Sequence, residues 1–97
     1  MILAQKQVDI QADLVSGDID FTDANRANKY NMIPIGIMVV KDSAAAEVID
    51  VNFSLIGDHS SEIHYLKINE YYPFPIGKVY TTGTDAGVKI MIYGLSN

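Results

Sequence analysis

Residues 47–55 read Glu-Val-Ile-Asp-Val-Asn-Phe-Ser-Leu, with Ile49, Val51, Phe53 and Leu55 alternating against Asp50, Asn52 and Ser54. Successive side chains of an extended chain point to opposite faces, so a period of two predicts a strand with one buried and one wet side. Ala44–Ala46 could start a helix, but the β-branched run at Val48, Ile49 and Val51, followed by Phe53, opposes it. Outward from this strand, residues 41–44 (KDSA) and 57–61 (GDHSS) are turns. Before the first turn, residues 33–41 (IPIGIMVVK) read as a buried strand, with Pro34 near its start where a missing donor does least harm. After the second, residues 62–69 (EIHYLKIN) form another strand, followed by an aromatic corner at 71–77 (YYPFPIG) and a short strand at 78–82 (KVYTT). A loop at 83–87 (GTDAG) leads to a closing strand over 87–95, with Val88, Ile90 and Ile92 on one side. Short strands separated by short turns predict an all-β fold, a small antiparallel sandwich or barrel of jelly-roll-like type.

The first third reads differently. Residues 7–14 (QVDIQADL) alternate Val8, Ile10, Ala12 and Leu14 against Asp9, Gln11 and Asp13, which predicts one more strand. Residues 15–32 are polar, with room for one short helical turn around Thr22 to Lys29. Connections this long in a compact domain are generally functional. Residues 1–32 are therefore expected to form an N-terminal extended arm of strand plus polar stretch, and 33–97 the compact part of one domain.

Composition removes several functions. Among 97 residues there is no cysteine, so disulfides, thiolate nucleophiles and cysteine zinc sites are absent. The net charge is −5, and residues 1–25 carry Asp9, Asp13, Asp18, Asp20 and Asp23 against Lys6 alone. Nucleic-acid binding needs a basic stripe for counterion release, and none is present. No apolar run approaches the length of a membrane span. The opening MILAQKQVD lacks the basic and long apolar parts of a signal peptide, so the chain is expected to be neither membrane-bound nor exported.

Each candidate for chemistry meets a plainer explanation. Asp18, Asp20, Asp23 and Asn25 offer oxygens to a calcium ion, but the glycine and glutamate spacing of a calcium loop is missing. Turn and helix capping accounts for such aspartates equally well. His59 and His64, near Asp58 and Glu62, do not supply the three converging ligands of a catalytic zinc. Ser60 and Ser61 are sequence neighbours of His59, a poor way to present a nucleophile and its base to one substrate. Gly83 and Gly87 lack the spacing and following helix of a phosphate loop and instead suit a hairpin. The Asn52-Phe53-Ser54 sequon matters only in a secreted protein. No catalytic residue, metal or cofactor is expected.

The least plain feature is the aromatic segment. Tyr71, Tyr72 and Phe74, with Ile76, pack large rigid surface into one connection, either as a plug for the end of the sandwich or as a contact patch. Val8, Ile10 and Leu14 of the first strand are candidates for pairing with the chain's own sheet or with another subunit. A small core without disulfides also gains from association.

In the order of its elements, the region 33–95 resembles small β-domain structural proteins of tailed bacteriophages, of the head-decoration or spike-base type. The resemblance lies in IPIGIMVV, then VIDVNFSL, then YYPFPIGKVYTTGT and VKIMIYGL, with Pro75-Ile76, Lys78-Val79 and the threonine–glycine turn 81–84 in corresponding places. It implies a non-enzymatic virion protein, assembled in the host cytoplasm, that self-associates as a trimer and attaches to a larger capsid or tail protein. The acidic stretch before residue 32 departs from that pattern. A small-ligand or carbohydrate-binding module is the alternative, though no tryptophan is available as a sugar platform.

Overall fold

The computed structural model describes residues 4–22, 30, 32–40, 47–58, 60–85 and 89–96. Among them the elements are β1 (Ala4–Asp9), α1 (Gln11–Ser16), β2 (Ile19–Asp20), β3 (Ile33–Val40), β4 (Val48–Leu55), β5 (Glu62–Lys67), β6 (Tyr71–Tyr72), β7 (Ile76–Tyr80) and β8 (Lys89–Ser96). The strands build two four-stranded antiparallel sheets, sheet A in the order β1-β8-β3-β6 and sheet B in the order β2-β7-β4-β5.

The order has a simple logic. β1 pairs with β8, β2 with β7, β3 with β6 and β4 with β5, so the chain is one long antiparallel ribbon doubled back at the β4–β5 hairpin. Winding that ribbon brings β8 against β3 and β7 against β4. Eight strands in two sheets wound this way are a jelly roll. The expected all-β sandwich is the observed fold.

Between the sheets lies a core set by the pleat. Ile49, Val51 and Phe53 of β4 and Leu66 of β5 meet Ile37 and Val39 of β3 and Ile90 and Ile92 of β8, all buried. Removing such a side chain from water stabilises by roughly 1.5–3 kcal/mol. Asn69, at φ 62°, turns the chain from sheet B to sheet A, and its N–H donates to the Val39 carbonyl at 2.7 Å. Asparagine tolerates that left-handed backbone better than most residues.

The N-terminal segment differs from expectation. The strand covers 4–9 rather than 7–14, and it pairs with β8 of the same chain, from Ala4 opposite Ser96 to Asp9 opposite Met91. It then gives way to α1: the Asp9 carboxylate accepts the Gln11 N–H at 3.0 Å, and the Leu14 N–H donates to the Ile10 carbonyl at 2.9 Å. Ile10 and Leu14 satisfy a period of two and the one-turn spacing of a helix alike, and the core takes the helical option, leaving Ala12 exposed. Ile10, Leu14, Ile19, Phe21 and Tyr30 join the common core, so these described residues of the first 32 pack with the compact part rather than projecting from it. The Tyr30 hydroxyl donates to the Asp13 carboxylate, and Lys6 donates to the Tyr30 carbonyl. Apart from Thr22, the expected helical turn at 22–29 lies outside the described residues, as do Ala44–Ala46 and Val88.

Candidate functional site

The aromatic segment is split by the pleat. Tyr72 and Phe74 turn inward and stack with ring centres 5.7 Å apart, and Phe74 in turn approaches Phe53 at 5.7 Å and His64 at 6.0 Å. Ile76 is fully buried. Tyr71 alone of the four turns to the outer face of sheet A, where it remains 42% exposed. Of the candidate contact residues, Ile10, Leu14 and Ile76 are core positions of their own domain. Val8, Tyr72 and Phe74 are half-buried.

Around Tyr71 the outer face of sheet A is apolar. β3 contributes Ile33 (54% exposed), Ile35 (38%) and Met38, and β8 contributes Met91, Tyr93 and Leu95. Lys89, at one end, is the charge that these two strands place there among the described residues. A register shift between Pro34 and Gly36 bulges Ile35 out and leaves Gly36 opposite Tyr93. The Tyr71 ring fills the space over Gly36 and meets the Tyr93 ring edge-on, 5.4 Å between centres at 79°. Beside it runs a trough of about 500 Å³, walled by Ile35, Tyr71 and Tyr93 and by Gln5 and Gln7 of β1. The outer side of sheet B is mixed, with Asp50, Asn52 and Lys78 set among the exposed Val48, Ile63 and Tyr65.

The candidates for chemistry are engaged in structure. Asp18 accepts the Thr81 N–H at 2.8 Å and lies 4.0 Å from Lys78. Asp20 accepts both the N–H and the hydroxyl of Thr22, at 2.9 and 2.6 Å. Asp23, Asn25 and His59 lie outside the described residues, among which no three metal-binding side chains converge. His64 stacks on Phe53 at 3.8 Å, with Nδ1 2.8 Å from the Glu62 carbonyl. The backbone N–H of Ser60 donates to Asp58 at 3.0 Å. Where β7 leaves β4, the 81–85 loop takes over its edge: Asp85 exchanges two hydrogen bonds with the Asp50 backbone, and the Thr84 hydroxyl accepts the Asn52 N–H at 2.9 Å. Gly83, at φ 85°, supplies the turn, and Gly87 lies outside the described residues. The Asn52 side-chain amide of the sequon donates to the Thr82 carbonyl at 2.8 Å.

Reasoning from the sequence passed over Ile33, Ile35, Met38, Met91, Tyr93 and Leu95 as a surface. The signal was the unbroken apolar run of β3 and β8. An antiparallel strand with one wet face alternates, whereas an unbroken run belongs to a strand covered on both sides. No protein family, no curated protein and no solved structure matches this chain.

Proposed function

We propose that this domain is a non-enzymatic structural protein of a virus-like particle, a decoration or cement component that lays the outer face of sheet A on a larger shell protein. The observation behind this reading is the two-sided apolar character of β3 and β8. Ile33, Ile35, Tyr71 and their half-buried neighbours form one patch, and contiguous apolar patches of this kind mark interaction surfaces. The jelly roll is a common fold of capsid proteins, which agrees with the reading but carries no function by itself. Attachment elsewhere on a particle, as a tail or spike component, uses the same face.

Antiserum against the chain tests the proposal, by immunogold labelling of particles released from lysed source cells. Labelled wild-type particles, and unlabelled particles from cells carrying Ile35→Asp, are the expected results. Protein found free of particles in both cases overturns the reading.

A second reading draws on the trough. Tyr71 and Tyr93 beside the amides of Gln5 and Gln7 combine a ring face with paired donors and acceptors, the chemistry that suits a neutral sugar. Retention of the wild-type domain on immobilised polysaccharide, lost in Tyr93→Ala, favours that function instead.

A further inference from the structure

We propose that β5 is a self-association edge, through which two copies pair antiparallel across a two-fold axis and merge their B sheets into one. This inference is independent of the outer face of sheet A.

Among the described residues, four strands end the two sheets, and they differ in how they are protected. β2 and β6 are two residues long. β1 points Gln5, Gln7 and Asp9 outward, all polar. β5 has six residues, no proline and an unbroken register with β4, and it exposes Ile63 at 43% and Tyr65 at 70%. Proteins ordinarily blunt such an edge with a charge, a proline or a bulge, because a flat apolar edge templates strand addition.

The backbone pattern locates the free groups. The Ile68 N–H donates to the Glu47 carbonyl at 3.1 Å, which continues the β4–β5 register by one residue. Bonded pairs alternate along an antiparallel ladder, so Glu62, His64 and Leu66 bond to β4 while Ile63, Tyr65 and Lys67 face away from it. Lys67 is capped there: its N–H donates to the Tyr72 hydroxyl at 2.9 Å. Among the described residues, no comparable bond caps Ile63 or Tyr65, so two N–H and two carbonyl groups point outward between two exposed apolar side chains.

A second copy of β5 fits this edge. With His64 on the axis, Ile63 lies opposite Tyr65 of the second copy and Tyr65 opposite Ile63, and the four outward groups bond mutually. Aromatic and β-branched residues make favourable cross-strand pairs. The charges agree as well. Antiparallel pairing brings the Glu62 end of one strand to the Lys67 end of the other, whereas parallel pairing stacks Glu62 on Glu62 and Lys67 on Lys67.

An edge of six residues belongs at the small end of protein interfaces, so association is concentration-dependent. Sedimentation velocity on the full chain, from about 1 µM to about 1 mM, covers the range of weak complexes. The expected apparent mass doubles from 10.7 kDa across it. Ile63→Lys with Tyr65→Lys is expected to keep the melting temperature, since both side chains are exposed, and to stay monomeric. Charge reversal at Glu62→Lys weakens the dimer, and adding Lys67→Glu restores it. Amide exchange gives a second readout: the Ile63 and Tyr65 amides slow by about tenfold or more between dilute and concentrated protein, as newly bonded amides do. A wild-type monomer at the highest concentration, a trimer, or a double-lysine variant that dimerises like wild type each overturns the proposal. Failure of the sheet A reading shows in particle labelling and leaves these results unchanged.

Discussion

The ring of Tyr71 occupies the place a side chain at residue 36 would take: a Cβ on Gly36 would lie 2.0 Å from the Tyr71 hydroxyl oxygen. Gly36→Ala must therefore push the ring away from Tyr93, at a cost of about 1 kcal/mol for the lost ring pair. In a Tyr71→Ala background the same change becomes neutral or stabilising, because alanine in a strand is otherwise preferred to glycine. A double-mutant cycle by urea denaturation reads the coupling. Equal costs in both backgrounds would show that the ring is not why residue 36 is a glycine.

A chain beginning at Asn31 is expected not to fold. It lacks β1, which pairs with β8 along its whole length, and five core side chains, Ile10, Leu14, Ile19, Phe21 and Tyr30. Far-UV circular dichroism and a thermal melt check this. A cooperative β-type melt from the shortened protein would return residues 1–30 to the status of a dispensable arm.

Alkaline pH should destabilise the domain through Tyr30. Burial, then the hydrogen bond to Asp13 and its negative charge, raise the Tyr30 hydroxyl well above the ordinary tyrosine value. Because the folded pKa exceeds the unfolded one, this stability is full below about pH 10 and is lost as pH rises above it. Tyr30→Phe should flatten the alkaline limb of a melting-temperature profile relative to wild type. Identical limbs in the two proteins would refute the assignment.

Ile90→Asp should leave the domain unfolded. Ile90 is 1% exposed between the sheets, and a carboxylate there has no partner. Tyr65→Asp, at an exposed position, should change stability by less than about 0.5 kcal/mol. Urea titration of both variants provides the comparison, and a folded Ile90→Asp protein would contradict the assigned core.

Chelation is expected to leave the melting temperature unchanged. Asp18 is committed to Thr81 and Asp20 to Thr22, so neither aspartate waits for an ion. Asp18→Ala should lower stability by about 1 kcal/mol through the lost bond to the Thr81 N–H. A fall of several degrees in EDTA would reinstate the acidic loop as a calcium site.

Legibility in the sequence followed the length of each pattern. β4 alternates over eight residues and β3 is solidly apolar, so both were placed to within a residue or so. β2 and β6, at two residues each, have no period to read. The 7–14 stretch is long enough, yet Ile10 and Leu14 suit either period, and only their packing against the core selects the helix. The 71–76 segment reads as either plug or patch because adjacency in sequence says nothing about face. Extended backbone sends Tyr71 outward and Tyr72 inward.

By itself the sequence determined that this chain is all-β, where its long strands run, and which side chains of β4 face inward. These follow from a residue's neighbours a few positions away, and the pleat converts them directly into faces. Tertiary structure alone decided the winding. Thr81 bonds through its N–H to Asp18 and through its hydroxyl to the Leu14 carbonyl, partners 63 and 67 residues away, and no local pattern encodes such separations. It also decided which apolar side of sheet A stays open and which sheet edge stays bare. Both depend on which strands remain after every other has found its neighbour, and that is a property of the assembled sandwich rather than of any segment within it.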